Sequence, residues 1–168
     1  DPAAHGTPNP VTMALLGGDP PTFRDGGGPA GGHFGDDPGD LARWATELDH
    51  GVLAIQGPPG TGKTYRGAHM VKALIGAGRR VGVMAMSHHA IDNFLTEIVA
   101  VCAEEPAVEV RAGRRRDEPD GGGLLGVTYG ANLALDRPEF NVVCGTAWQF
   151  AGTKLRDALV DVLLIDEA

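Results

Sequence analysis

No stretch limits this chain more than "GPPGTGKT", residues 57–64. It satisfies the pattern G-x-x-x-x-G-K-[S/T] in full, and its flanks are the ones that pattern requires. The preceding "VLAIQ" predicts a short apolar strand, and "TGKTYRGAHMVKALIGAG" predicts a helix ending at Gly76 or Gly78. Glycines let the backbone curl so that successive N–H groups converge on phosphate oxygens. The helix that follows adds unbonded N–H groups and the positive end of its dipole. Lys63 supplies a point charge for the β- and γ-phosphates, and Thr64 a hydroxyl for Mg²⁺. Pro58 and Pro59 stiffen the loop. Gly57, Pro58, Pro59, Gly60, Thr61, Gly62, Lys63 and Thr64 are therefore the expected nucleotide-binding residues.

Downstream, strand and helix patterns alternate. "RVGVMAM" reads as a strand. "SHHAIDNFLTEIVAVCAEE" reads as a helix with Ser87 as N-cap and Ile91, Leu95, Ile98 and Cys102 on one apolar stripe, ended by Pro106. "AVEVRAG" predicts a short strand, "RRRDEPDGGG" a loop, and "NVVCGTAW" and "DVLLID" two buried strands. Upstream, "DLARWATELDHG" predicts a helix leaning on the domain, capped by Asp40 and followed by Gly51. Such alternation implies an α/β fold, a parallel sheet with helices on both faces. Residues 162–165 show no polar alternation, as in a strand buried on both faces. Asp166 and Glu167 then lie at the strand's carboxyl end, where ligands bind in open α/β sheets. Beside a phosphate loop, Asp166 is expected to hold the Mg²⁺ shell. Glu167 is expected to orient and deprotonate an attacking water. The alternative for the pair is a solvated acidic turn.

One domain is expected for 168 residues, and 42% apolar content is enough for a core. The net charge of −8 gives no bulk attraction to a polyanion, so any nucleic-acid contact must be local. Cys102 and Cys144 have neither metal-ligand nor CxxC spacing and read as reduced core thiols, which points to the cytoplasm. No apolar run approaches membrane-spanning length, so no membrane partner is expected. Residues 1–39 hold 7 of the 12 prolines and are expected to be a flexible Gly/Pro-rich linker before a domain over 40–168. His88 and His89 lack a third ligand at sensible spacing for zinc. Arg114, Arg115 and Arg116, flanked by Asp117, Glu118 and Asp120, read either as a solvated loop or as a phosphate-contacting patch.

Taken in order, "LAIQGPPGTGKT", "SHHAIDNFLTEI", "GTAWQFA" and "LLIDEA" resemble the superfamily 1 helicases, in the group that contains the nonsense-decay helicase. The wording is most similar to the C-terminal helicase part of bacterial fusions with a RecB-like nuclease. The resemblance covers residues 40–168 and implies a RecA-like P-loop NTPase domain, incomplete here. It implies ATP and Mg²⁺ as cofactors and single-stranded nucleic acid as partner, with DNA the first expectation and RNA the alternative. Lys63 and Glu167 fall on its catalytic positions, Thr64 and Asp166 on its metal positions. Ser87, His88 and Asn93 fall on a motif that faces the nucleic-acid backbone, and Thr146 and Trp148 on a later nucleic-acid motif. By their residue types alone, Ser87 is equally a plain N-cap and Trp148 a core side chain. The family's adenine-reading glutamine has no counterpart, since Gln56 and Gln149 are the only glutamines. The family also carries a second RecA-like domain in cis that supplies arginines to the nucleotide, so the resemblance implies a fragment. A nucleotide switch or regulatory P-loop ATPase without a nucleic-acid role is the alternative. A small-molecule kinase is disfavoured by Glu167 and by the lack of a lid segment.

Overall fold

The computed structural model describes residues 9–35, 37–119, 122–152 and 160–166. In chain order its regular elements are α1 (Pro10–Gly17), α2 (Pro38–Glu47), α3 (Lys63–Gly76), β1 (Val81–Ala85), α4 (His88–Ala103), β2 (Ala112–Arg114), β3 (Val127–Tyr129), β4 (Val142–Thr146), α5 (Ala147–Phe150) and β5 (Val162–Asp166). The five strands form one sheet in the order β3-β2-β4-β1-β5. All four pairings are parallel. The fold is α/β, as the alternating pattern predicts.

The strands alternate between two faces. Val81, Val83, Ala85, Ala112, Val142 and Cys144 point into the main core together with α2, α3 and α4. From α4 come Ile91, Leu95, Ile98 and Cys102, the predicted stripe, with Phe94 and Val101 beside it. The opposite face carries Gly82, Gly113 and Gly145, each with an aromatic ring or long side chain where a Cβ would stand. Phe150 lies over Gly82 and Gly145, and Phe140 over Gly113. Leu135, Phe140 and Val143 form a smaller cluster there, with Phe150 and Val160 at its margin.

Several boundaries differ from the sequence expectations. Asp37, not Asp40, caps α2, accepting from the N–H groups of Gly39 and Asp40 at 2.9 and 3.1 Å. Pro38 at the first helical position moves the start upstream. The "VLAIQ" run before the phosphate loop forms no strand. Leu53 reaches the core margin while Ile55 stays 37% exposed. An apolar run becomes a strand only where a neighbour supplies ladder hydrogen bonds. β5 is an edge strand, not buried on both faces: Leu163 and Ile165 are 40% and 47% exposed. β3 was not predicted, being three residues between glycines. Within the segment expected as linker, α1 buries no side chain. Phe23, by contrast, packs against the core. Phe34 stands edge-on to Trp44 with centroids 5.2 Å apart.

Candidate functional site

The loop over 57–64 leads directly into α3, whose N-cap is Gly62 in the left-handed region at φ 75° with no side-chain cap. Gly60 is left-handed as well, at φ 81°, and a Cβ at either would be strained. The first N–H groups of α3 therefore have no competing side-chain acceptor at the cap, the local arrangement an anion uses. Lys63 folds back over the loop, donating from Nζ to the carbonyls of Gly57 at 2.7 Å and Pro58 at 3.0 Å. Thr61 donates its hydroxyl to the Pro58 carbonyl at 2.8 Å. Arg66 donates to the Thr61 carbonyl at 2.5 Å.

Packing fixes the direction of α3. Its Gly67 lies against Phe94 in the second turn of α4, so close that a Cβ would meet the ring at 2.7 Å. Toward their other ends, Lys72 of α3 pairs with Glu105 just after α4 at 3.3 Å. The two helices run side by side in the same direction. α4 starts where β1 ends, so the start of α3 and the phosphate loop also lie toward the carboxyl edge of the sheet. In register, Ala85 pairs with Thr146 on one side and Asp166 on the other. Asp166 shares the face of Val162 and Leu164, the one turned toward the helical layer. Glu167 lies outside the described residues.

At the same edge, Ser87 caps α4, accepting from the Ala90 N–H at 3.0 Å. His88 is exposed, and its Nδ1 meets Arg114 Nη2 at 2.9 Å. Thr146 caps α5: Gln149 returns Oε1 to the Thr146 N–H at 2.8 Å and donates Nε2 to the Arg115 carbonyl at 3.1 Å. Trp148 is 88% exposed, so it is no core residue. Asn93 stands apart, paired with His89 at 3.2 Å. Thus Ser87, His88, Thr146 and Asp166 come to one edge, with Trp148 beside Thr146, while Asn93 lies further along α4.

A cavity of about 530 Å³ opens here, lined by His88, Arg115, Arg116, Asp117 and Gln149 among others. Arg114, expected in a loop, instead ends β2 and is fully buried. Its Nε donates to Asp92 at 2.9 Å, and the second carboxylate oxygen of Asp92 accepts from Arg116. Nη1 of Arg114 has no partner among the described residues. Its strand neighbour Cys144 is fully buried, and burial pushes that thiol up to about 12, against the pull of Arg114. Arg114 was expected only within a surface arginine run, and Asp92 and Gln149 carried no role in the sequence expectations. The signal for Arg114 was present, since Val108, Val110, Ala112 and Arg114 alternate inward. No cluster of three His, Cys, Asp or Glu side chains arranged for a metal occurs among the described residues.

No protein-family model, curated protein or solved structure matches this chain. Its function rests on its own residues and their arrangement.

Proposed function

We propose that this chain is the nucleotide-binding part of a RecA-like motor of the superfamily 1 helicase or translocase type. It binds ATP with Mg²⁺ through residues 57–64 and couples hydrolysis to movement along single-stranded nucleic acid, DNA rather than RNA, in the cytoplasm. What supports this most is one juxtaposition: the phosphate-loop sequence opens α3 toward the same sheet edge as Asp166, Ser87, His88 and Thr146.

The residues present fit a Mg-nucleotide. The start of α3 lacks a side-chain cap, two glycines hold left-handed turns, and among the described residues Lys63 Nζ is engaged by loop carbonyls that a phosphate can replace. Lys63 would balance the β- and γ-phosphates, and Thr64 and Asp166 would hold Mg²⁺. The ion supplies charge neutralisation on the phosphoryl oxygens. Glu167, next in sequence, would orient the water. A second RecA-like domain in cis would supply the remaining positive charge. Trp148 offers a sequence-tolerant stacking surface for a base.

Titration calorimetry with Mg-ATP tests the nucleotide half. Lys63→Ala should weaken binding by about 1.5–3 kcal/mol, the range for a charge-assisted hydrogen bond. Equal affinity in the variant would end the reading. Among the described residues no helix is long and apolar enough to cross a membrane.

A further inference from the structure

We propose that Arg114 is a positioning residue: it presents His88 as a fixed N–H donor to a single-strand phosphodiester in the cavity at the ends of β1, β2 and β4. This rests on the nucleic-acid reading above and adds residues that reading does not contain.

A guanidinium has only donors. Its contact with His88 Nδ1 at 2.9 Å therefore makes Nδ1 the acceptor and leaves the ring proton on Nε2. Arg114 cannot follow the ring. It is fully buried, its Nε is held by Asp92 one turn further along α4, and Nη2 also reaches the His88 carbonyl at 3.4 Å. The ring conforms to the arginine, and His88 lines the cavity.

The charged groups around that ring set its ligand. His89 and Asp92 share its helix, Arg114, Arg115 and Arg116 come from the end of β2, and Asp117 and Glu118 from the loop beyond. Asp92 is shared by Arg114 and Arg116, which leaves that trio one net positive charge. Arg115 adds another, its Nε resting on the Ala131 carbonyl at 3.1 Å. Glu118 accepts from the Gly123 N–H at 2.7 Å, and Asp117 is exposed. A singly charged phosphodiester suits the His88–Arg115–Arg116 side, and Asp117 opposes it. Gln149, also on the lining, has both polar atoms of its amide engaged within the fold, at the Thr146 N–H and the Arg115 carbonyl.

The test uses the 168-residue chain and a fluorescent oligothymidylate, with anisotropy read across a salt series. His88→Ala and Arg114→Met should each weaken binding about tenfold, and the double variant no more than either single one. Asp117→Asn should tighten it about twofold. Mg-ATP affinity should not move. Long-range ¹H–¹⁵N spectra should show His88 as the Nε2–H tautomer in the wild type and a tautomer mixture in Arg114→Met. If the Met variant does not fold, Arg114→Lys keeps the charge and loses the multi-point hold, with the same pattern expected at a smaller factor. An Nδ1–H tautomer in the wild type, additive losses in the double variant, or unchanged affinity in the arginine variants would overturn the proposal. A wild-type chain that binds no oligonucleotide even at low salt would remove the nucleic-acid reading with it. Wild-type binding with indifferent arginine variants would remove this inference alone.

Discussion

Arg114 shows what one residue can demand of its surroundings. A guanidinium without exposed surface needs a carboxylate and further hydrogen bonds, because its desolvation rivals its Coulombic gain. Asp92 meets that need for both Arg114 and Arg116. Removing Asp92 leaves the Arg114 charge buried beside the equally buried Cys144. Asp92→Ala should therefore destabilise the fold by about 3 kcal/mol, the low end for a broken buried pair, since the Asp92 side chain keeps 29% exposure and some screening. Adding Arg114→Met should recover most of that loss, as an apolar side chain of similar length carries no charge to compensate. Urea midpoints of the two variants decide it: a double variant as unstable as Asp92→Ala would mean that the buried charge is not the cause. The inward alternation from Val108 made a buried Arg114 legible. Its partner Asp92 was not, because the two are 22 residues apart and only the packing of α4 over the sheet brings them together.

Among the elements, the contact between α3 and α4 governs where the phosphate loop sits. Gly67 is a poor helix former, and at an exposed position Ala in its place would stabilise α3 by about 0.5–1 kcal/mol. Here its missing side chain admits Phe94, which is 3% exposed and hemmed in by the core. Gly67→Ala should therefore destabilise the chain, with overpacking of about 1–3 kcal/mol outweighing the gain in helix propensity. The same shift would move the start of α3, so Mg-ATP affinity should fall although no loop residue is altered. Paired thermal melts and calorimetry check this, and a stabilised variant with intact affinity would show that the helices separate freely. Ser87 illustrates two roles at one position. Its side-chain oxygen caps α4, yet it remains exposed at the sheet edge, so capping and ligand contact do not compete for the whole residue.

Across the whole molecule the sheet is unevenly supported. β4 and β1 are central, paired on both sides, while β3 and β5 are edges. β5 pairs only with β1 among the described residues, and Leu163 and Ile165 face outward. Amides of β1 and β4 should exchange at least about tenfold more slowly than those of β3 and β5, with residues 52–56 among the least protected because no ladder bonds hold them. Hydrogen-exchange mass spectrometry on the nucleotide-free chain reads this directly. Protection in 52–56 equal to that of β1 would mean that the run is a sheet strand in solution.

Local patterns in the sequence determined α2, α3 and α4, the strands of five residues and the residues of the phosphate loop. Each of these follows from a short-range rule: turn glycines, a helical stripe, a run of β-branched residues. Ser87 as N-cap and the exit of α3 at Gly76 were legible for the same reason. Tertiary structure alone decided which strands adjoin, that Val162–Asp166 is an edge, and that the apolar run over 52–56 stays out of the sheet. It also decided that the buried Arg114 meets Asp92 and His88, while Arg115 and Arg116 line a cavity with His88. Those outcomes depend on partners many residues away, and a hydrogen bond or an ion pair exists only when both ends arrive.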